Sequence, residues 1–414
     1  MTRVGEMEHQ SRASALKGVI HGALLLGSGA ALGQLVMLLS TPLVSRIYTP
    51  AAIGEFALYS SFVSVGVTLA PLGFHRALPT TATKEEASQL ATGILLAQPA
   101  LCAFLGLLQL YLIRGDILGF GELPPSIAWF TGFSVIANTL LVTLQFWFVR
   151  AEEYQVIARV PLFQNVGRAS SQVAAGLAGF SLVGLVVGDF VGRLLGLSGM
   201  LRRALPHLSS TLPIKWSTYR RLAGRYRKFL FPQLPSSLLN MGARMLPLPV
   251  LVALYGAETA GMYAMADRLL QAPVALLSKS IGDALHGRLA ALSRENPREI
   301  QSLFFSSSLG LLAVGLVPTL LLMLWGEPLF AFVLGGEWGA SGRLAVVLAP
   351  LALANLVVAT SSRFAYVFEA FWSLLLFNSL YMAAVIGALV LGGVHDWGVI
   401  KTVTYLSGFS VLAY

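Results

Sequence analysis

Charge is scarce in this chain. Asp, Glu, Lys and Arg make up 11% of its 414 residues, against roughly 25% in an ordinary soluble domain. With 56% hydrophobic residues beside that, there is too little polar surface to clothe a water-soluble particle of this size. Cysteine is nearly absent as well. Cys102 is the single one, so no disulfide can form within the chain, and cysteine says nothing about redox compartment. No phosphate-binding glycine loop of the P-loop type occurs, which excludes ATP as the direct driver of whatever the chain does. The histidines (His9, His21, His75, His207, His286 and His395) are scattered without metal-ligand spacing. No catalytic constellation stands out. We therefore expect neither an enzyme nor a bound metal or cofactor. The alternating ten-residue segments of a membrane β-barrel are missing too.

What is present is a series of apolar runs, each about 20 residues, the length that crosses a bilayer as helix. They predict an all-α polytopic membrane protein with about 12 spans, near 18–40, 54–74, 89–112, 126–149, 157–179, 181–201, 229–254, 260–285, 303–325, 341–361, 367–391 and 398–414. The first run follows a polar stretch, residues 1–17, and is longer than a signal-peptide core, so it reads as an uncleaved span. The last is short and ends at Tyr414.

The net charge of +9 would suggest nucleic acid in a soluble protein. Its distribution says otherwise. Placing the N-terminus in the cytoplasm puts twenty Lys and Arg on cytoplasmic segments and four (Arg46, Arg114, Arg343 and Lys401) on outer ones. That bias follows the positive-inside rule and puts both termini inside. No nucleic-acid partner is expected. Eight of the cytoplasmic charges lie in residues 202–228, the longest polar stretch. There Trp216, Tyr219, Ala223, Tyr226 and Leu230 recur at helical spacing, which predicts an interfacial helix along the anionic leaflet. This linker divides a six-helix bundle at 18–201 from a second at 229–414. No loop is long enough to fold as a separate domain.

One stretch is written twice. Residues 42–61, PLVSRIYTPAAIGEFALYSS, align without a gap on 249–268, PVLVALYGAETAGMYAMADR, sharing Pro42/Pro249, Tyr48/Tyr255, Gly54/Gly261 and Ala57/Ala264 at a spacing of 207 residues. Both copies fall at the first hairpin of a half and leave the membrane on the same side. They predict a parallel internal repeat about an axis along the membrane normal, the plan of many alternating-access transporters.

The sequence around these copies resembles a known family. Tyr48-Thr49-Pro50, Gly54-Glu55-Phe56-Ala57, and Leu78-Pro79 followed by Lys84-Glu85-Glu86 resemble the opening of the polysaccharide transporters. These are Wzx-like flippases of O-antigen and capsule units, within the multidrug/oligosaccharidyl-lipid/polysaccharide exporter superfamily. Tyr255-Gly256-Ala257-Glu258, Gly261 and Arg268 match again in the second half. His75-Arg76 departs from the pattern, since many members carry an acidic residue there. The resemblance implies a MATE-like transporter fold in the bacterial inner membrane. It implies movement of polyprenyl-diphosphate-linked oligosaccharide between leaflets for O-antigen, capsule or exopolysaccharide synthesis. It makes membrane lipids, and a polysaccharide polymerase machinery, the candidate partners. A cation-coupled multidrug exporter of the same superfamily is the alternative.

Ionisable residues inside spans are costly and are functional candidates. Arg168, Arg193, Arg244 and Arg268 fall within spans. A guanidinium suits a diphosphate through its paired donors, so Arg244, Arg268 and Arg168 are the substrate-binding candidates. Asp189 and Arg193, four apart, can neutralise each other on one helix face. Asp189 and Asp267 are the candidates for ion coupling. Gln34, Asn138, Gln145 and Asn355 are polar candidates for a wet lumen, and Gln164, Asn165 and Gln172 extend the polar face around Arg168.

Overall fold

The computed structural model describes residues 27–213, 216–227, 230, 233–292, 297–367 and 371–414. The N-terminal segment 1–17 and the start of the first span lie outside them. The described elements are helices: α1 (Gly27–Ile47), α2 (Pro50–Leu69), α3 (Lys84–Arg114), α4 (Ile127–Arg150), α5 (Tyr154–Leu177), α6 (Leu182–Ser209), α7 (Trp216–Arg225), α8 (Gln233–Met245), α9 (Pro247–Leu292), α10 (Pro297–Leu334), α11 (Gly339–Val367), α12 (Phe371–Val394) and α13 (Val399–Ala413). Short 3-10 turns at Phe74–Thr80, Ile117–Glu122 and Gly336–Trp338 fill three of the connections. Among the described residues there is no strand.

Among the described residues, nine helical runs are long and apolar enough to span a bilayer. One of them, Gln233–Ser278, is broken at Gly256 (φ 80°, ψ 166°), where the sequence predicts the gap between the seventh and eighth spans. The fifth predicted span is α5, whose polar face keeps it out of that group; the twelfth is α13, 15 residues long. The seventh span is not one helix. It bends at Leu246, just before Pro247 and Pro249, because a proline cannot donate its backbone N–H to the turn behind it.

Local chemistry sets the helix starts and stops. Thr49 caps α2, its hydroxyl accepting from the Ala52 N–H with Pro50 at the first position. Thr83 caps α3 by accepting from the Glu86 N–H, while Glu86 reaches back to the Ala82 N–H. α5 stops at Gly179 (φ 85°). There the Phe180 N–H donates to the Ala175 carbonyl and the Gly179 N–H to that of Gly176. This left-handed stop turns the chain directly into α6.

The two copies of the repeated stretch meet each other. A Cβ added to Gly54 would lie 1.8 Å from the Ala257 carbonyl oxygen, and one added to Gly261 would lie 1.9 Å from that of Pro50. Pro50 and Ala257, like Gly54 and Gly261, are 207 positions apart. Each copy therefore presents its glycine to the partner's helix start, as an isologous two-fold contact requires. Each Tyr of the repeat also does the same job in its own half. The Tyr48 hydroxyl donates to the Gln172 carbonyl at 2.7 Å, where α5 faces α6. The Tyr255 hydroxyl donates to the Trp397 carbonyl at 2.7 Å, between α12 and α13. Tyr48→Phe removes one hydrogen bond and should cost about 1 kcal/mol in reversible unfolding; Tyr255→Phe also removes a bond with the Thr402 hydroxyl at 2.7 Å and should cost at least as much. Lying in separate halves, the two losses should add.

One hydrophobic core joins the halves at the charge-poor end, where α2 packs on α9. It holds Tyr59, Leu251 and the fully buried Trp338, whose indole N–H donates to the Ser45 carbonyl at 2.9 Å. Ser45 in turn donates to the Leu334 carbonyl. A second core, around Leu90, Phe148 and Met200, belongs to α3–α6 at the basic end. Leu222 of helix α7, and Tyr226 just after it, join that second core. Arg225 of α7 pairs with Glu86 at 3.0 Å, and Tyr219 covers Gly93 of α3. The amphipathic linker thus turns part of its apolar face onto protein rather than lipid. His75 is buried in the turn beside it, against the Phe146 ring. Burial first, and Arg76 second, hold its imidazole down at about 3, so it stays neutral.

Candidate functional site

The arginines predicted from sequence fall into two groups. The first is built on α5 and α6. Along α6, Gly184, Gly188, Gly192 and Gly196 recur every fourth residue. A Cβ at Gly188 would meet the Gln172 backbone at 2.8 Å, and one at Gly192 the Gln164 carbonyl oxygen at 2.5 Å. This stripe lets the two backbones close on each other. The close approach brings Arg168 of α5 onto Asp189 of α6, and the two form an ion pair. Asp189 also accepts from Arg193 Nε at 2.6 Å, the pairing expected at four-residue spacing. The Asp189 side chain is 2% exposed. Arg268, from α9 in the other half, lies within electrostatic reach of both Arg168 and Asp189. Two guanidinium groups thus hold one carboxylate with a third nearby, and among the described residues Arg168 Nε has no hydrogen-bond partner.

The second group sits on α8, α9, α12 and α13. Arg244 lies in the last turn of α8, next to the bend, and is exposed. It is within electrostatic reach of Asp267, Tyr263, Tyr381 and Tyr414. Asp267 is half-buried and accepts from Gln271 Nε2 at 3.3 Å. Among the described residues it makes no ion pair within 4.0 Å. Asp267 and Arg268, adjacent in sequence, therefore face different groups, as a rotation of about 100° per residue requires. The tyrosines were not predicted as site residues. Tyr381 and Tyr414 lie with ring centroids 5.2 Å apart, beside Phe377. The signal for them was weak, since aromatic residues inside apolar spans are ordinary core.

The remaining polar candidates are more dispersed. Gln34 lies half-buried on α1, Asn138 buried and Gln145 half-buried on α4, and Asn355 half-buried on α11. None of the four hydrogen-bonds to either arginine group among the described residues. Gln172 and Asn165 serve the helices instead: Gln172 donates to the Leu185 carbonyl at 3.0 Å and Asn165 to that of Pro161 at 2.9 Å. In the second half, Asn240 donates to Asn378, which donates to Ser236, tying α8 to α12. Among the described residues no three His, Cys, Asp or Glu side chains gather to hold a metal.

One core thus joins the halves, and cationic side chains from both halves come near each other. A family profile described as "Polysaccharide biosynthesis protein" matches residues 43–342, most of the chain. The chain belongs to that family. No curated protein matches it significantly in sequence. Among solved structures it is similar to the lipid II flippase MurJ in an inward closed conformation, with a TM-score of 0.77 at 12% identity, over 94% of this chain and 86% of that one. It is also similar to the Vibrio cholerae MATE transporter VcmN, with a TM-score of 0.58 at 17% identity, over 98% and 95%. At such identities the likeness establishes the fold. This member of the family is a multi-pass, all-helical membrane protein with a MATE-like transporter fold, its two halves related by a parallel repeat.

Proposed function

We propose that the protein moves polyprenyl-diphosphate-linked oligosaccharide units from the inner to the outer leaflet of a bacterial inner membrane by alternating access, supplying O-antigen, capsule or exopolysaccharide synthesis. The observation that carries this reading is the excess of cationic groups facing one another across the halves. Arg168 and Arg193 pair with Asp189, Arg268 lies within electrostatic reach of it, and among the described residues Arg244 stands exposed without an ion pair. A diphosphate crossing a layer that penalises its desolvation needs such donors. The polyprenyl tail can stay in lipid throughout. On this reading the domains are the bundles 18–201 and 229–414, with 202–228 as their cytoplasmic linker and both termini inside. The polymerase machinery would receive the flipped units.

A drug exporter driven by cation exchange at the first half would need a carboxylate free to take up the ion. Asp189, held by two guanidinium groups, is a poor one. Asp267, bonded only to a neutral amide, is the better candidate for a coupling proton.

Arg244 supplies the test. Because it is exposed and makes no ion pair, Arg244→Ala should leave unfolding unchanged. Loss of a charge-assisted contact of about 1.5–3 kcal/mol should lower flipping about 10- to 100-fold. Arg244→Lys should recover only part of it, lacking the paired donors. The measurement is the leaflet distribution of lipid-linked oligosaccharide in cells lacking the gene, with each variant restored. A normal distribution without the gene would sink the flippase reading. Full activity of Arg244→Ala would remove that residue from the site.

A further inference from the structure

Further along α5 and α6 from the Arg168–Asp189 pair, toward the basic end, lies a separate cavity of about 350 Å³. Gln155, Arg159 and Phe163 line it from α5, and Leu195, Ser198 and Arg203 from α6. Gly196 of the glycine stripe also lines it. Arg159 precedes Arg168 by nine residues, and Ser198 follows Asp189 by nine, about 13 Å along each helix and about half a turn round it, so these two side chains point away from the buried pair. On α5 the exposed residues Arg159, Phe163, Val166, Ser170, Ala174 and Leu177 recur at helical spacing. In a chain that spans a bilayer, this stripe faces lipid.

The cavity has two chemically distinct parts. Its deeper wall is apolar, with Phe163 55% and Leu195 47% exposed. Gly199 leaves the floor open, with no atom within 4 Å of where a Cβ would stand. Its rim is cationic and lies at the basic end. Arg159 makes no ion pair among the described residues. Arg203 meets Glu153 at 3.3 Å, a pair exposed on both sides and so easily exchanged. Arg159 stands five residues into α5, about 8 Å from the helix start. From that depth an arginine extends its head to the membrane surface.

We propose that this groove is a binding site for an anionic phospholipid of the leaflet at the basic end. Arg159 and Arg203 take the phosphate oxygens, and an acyl chain runs between Phe163 and Leu195. Basic pockets between spanning helices hold anionic headgroups in this way. A zwitterionic lipid fits less well. Its amine would find one carboxylate, Glu153, already facing Arg203. The site is independent of the transport reading, since it shares no side chain with the buried arginine cluster and needs no movement of cargo.

The experiment uses the full chain, extracted from nanodiscs of phosphatidylcholine with and without phosphatidylglycerol, and native mass spectrometry of the lipid retained. The wild-type chain should hold phosphatidylglycerol in preference to phosphatidylcholine. The double variant Arg159→Gln/Arg203→Gln should lose that retention at least tenfold, and Arg220→Gln/Arg221→Gln on α7 should keep it. Should the double variant fail to fold, Ser198→Trp tests the same groove with both charges intact and should also displace the lipid. Equal retention by wild type and the groove variants overturns the proposal. Equal loss from the α7 variant overturns it too, by assigning the effect to general basic surface.

Discussion

Gly54→Ala should weaken the closure between the halves more than a single methyl group ordinarily does. The new carbon would sit 1.8 Å from the Ala257 carbonyl oxygen, which belongs to backbone and cannot rotate away. The helices α2 and α9 must then separate along their shared face. Overpacking of this kind costs about 1–3 kcal/mol or more, and here the strain falls on the contact that joins the halves at the charge-poor end. Gly261→Ala meets the Pro50 carbonyl oxygen at 1.9 Å and should act alike. Because either change alone pushes the same two helices apart, the double variant should lose clearly less than the sum of the two. Thiol labelling of Ser45→Cys reads the local effect, with Cys102 buried and slow to react. Ser45 is buried under Trp338 and Leu334, so it should label slowly in the parent and at least several-fold faster with either alanine. Unchanged labelling and strictly additive stability losses would mean that the isologous contact does not hold this end shut.

That contact also marks how far the sequence could be read. The repeat was visible as matched residues 207 positions apart, and hydropathy placed the spans to within several residues. Periodicity could not say that the copies touch one another, since contact across the halves depends on how the bundles dock. The buried arginines were legible because charge is rare in apolar runs. Their partners were less so. Arg193 and Asp189 share a helix face at a spacing that announces the pair, whereas Arg168 finds Asp189 through the packing of two helices. The stripe Gly184, Gly188, Gly192 and Gly196 was the signal for that packing, and it stands plainly in the sequence. The tyrosines near Arg244 carried no such signal. The linker helix α7 was recognised as amphipathic, but amphipathicity alone does not distinguish a lipid surface from the flank of α3. The distinction came from small and buried partners, Gly93 beneath Tyr219 and the second core around Leu222.

Asp189 divides structural from functional charge most sharply. Removing it should be the most damaging single change in the first half, because two guanidinium groups would be left facing each other in a nearly dry site. Breaking a buried pair by deleting one partner costs about 3–5 kcal/mol, so Asp189→Ala should fail to accumulate or unfold far more readily. The physical cause predicts its own remedy. Adding Arg168→Met to Asp189→Ala removes one uncompensated cation and should restore much of the stability, leaving Arg193 to reach water from its 13% exposed position. Stability and transport should then part company. The repaired variant keeps the fold but has lost one of the cations that supports the diphosphate reading, so lipid-linked oligosaccharide should still collect on the inner leaflet. Thermal unfolding of purified protein and the leaflet distribution in cells measure the two separately. If the repaired variant flips cargo at the parental rate, the α5–α6 cluster is a structural clamp, and the transport role falls to Arg244 and Arg268. If Asp189→Ala is as stable as the parent, the two guanidinium groups find other anions, and the carboxylate is not what holds α5 and α6 together.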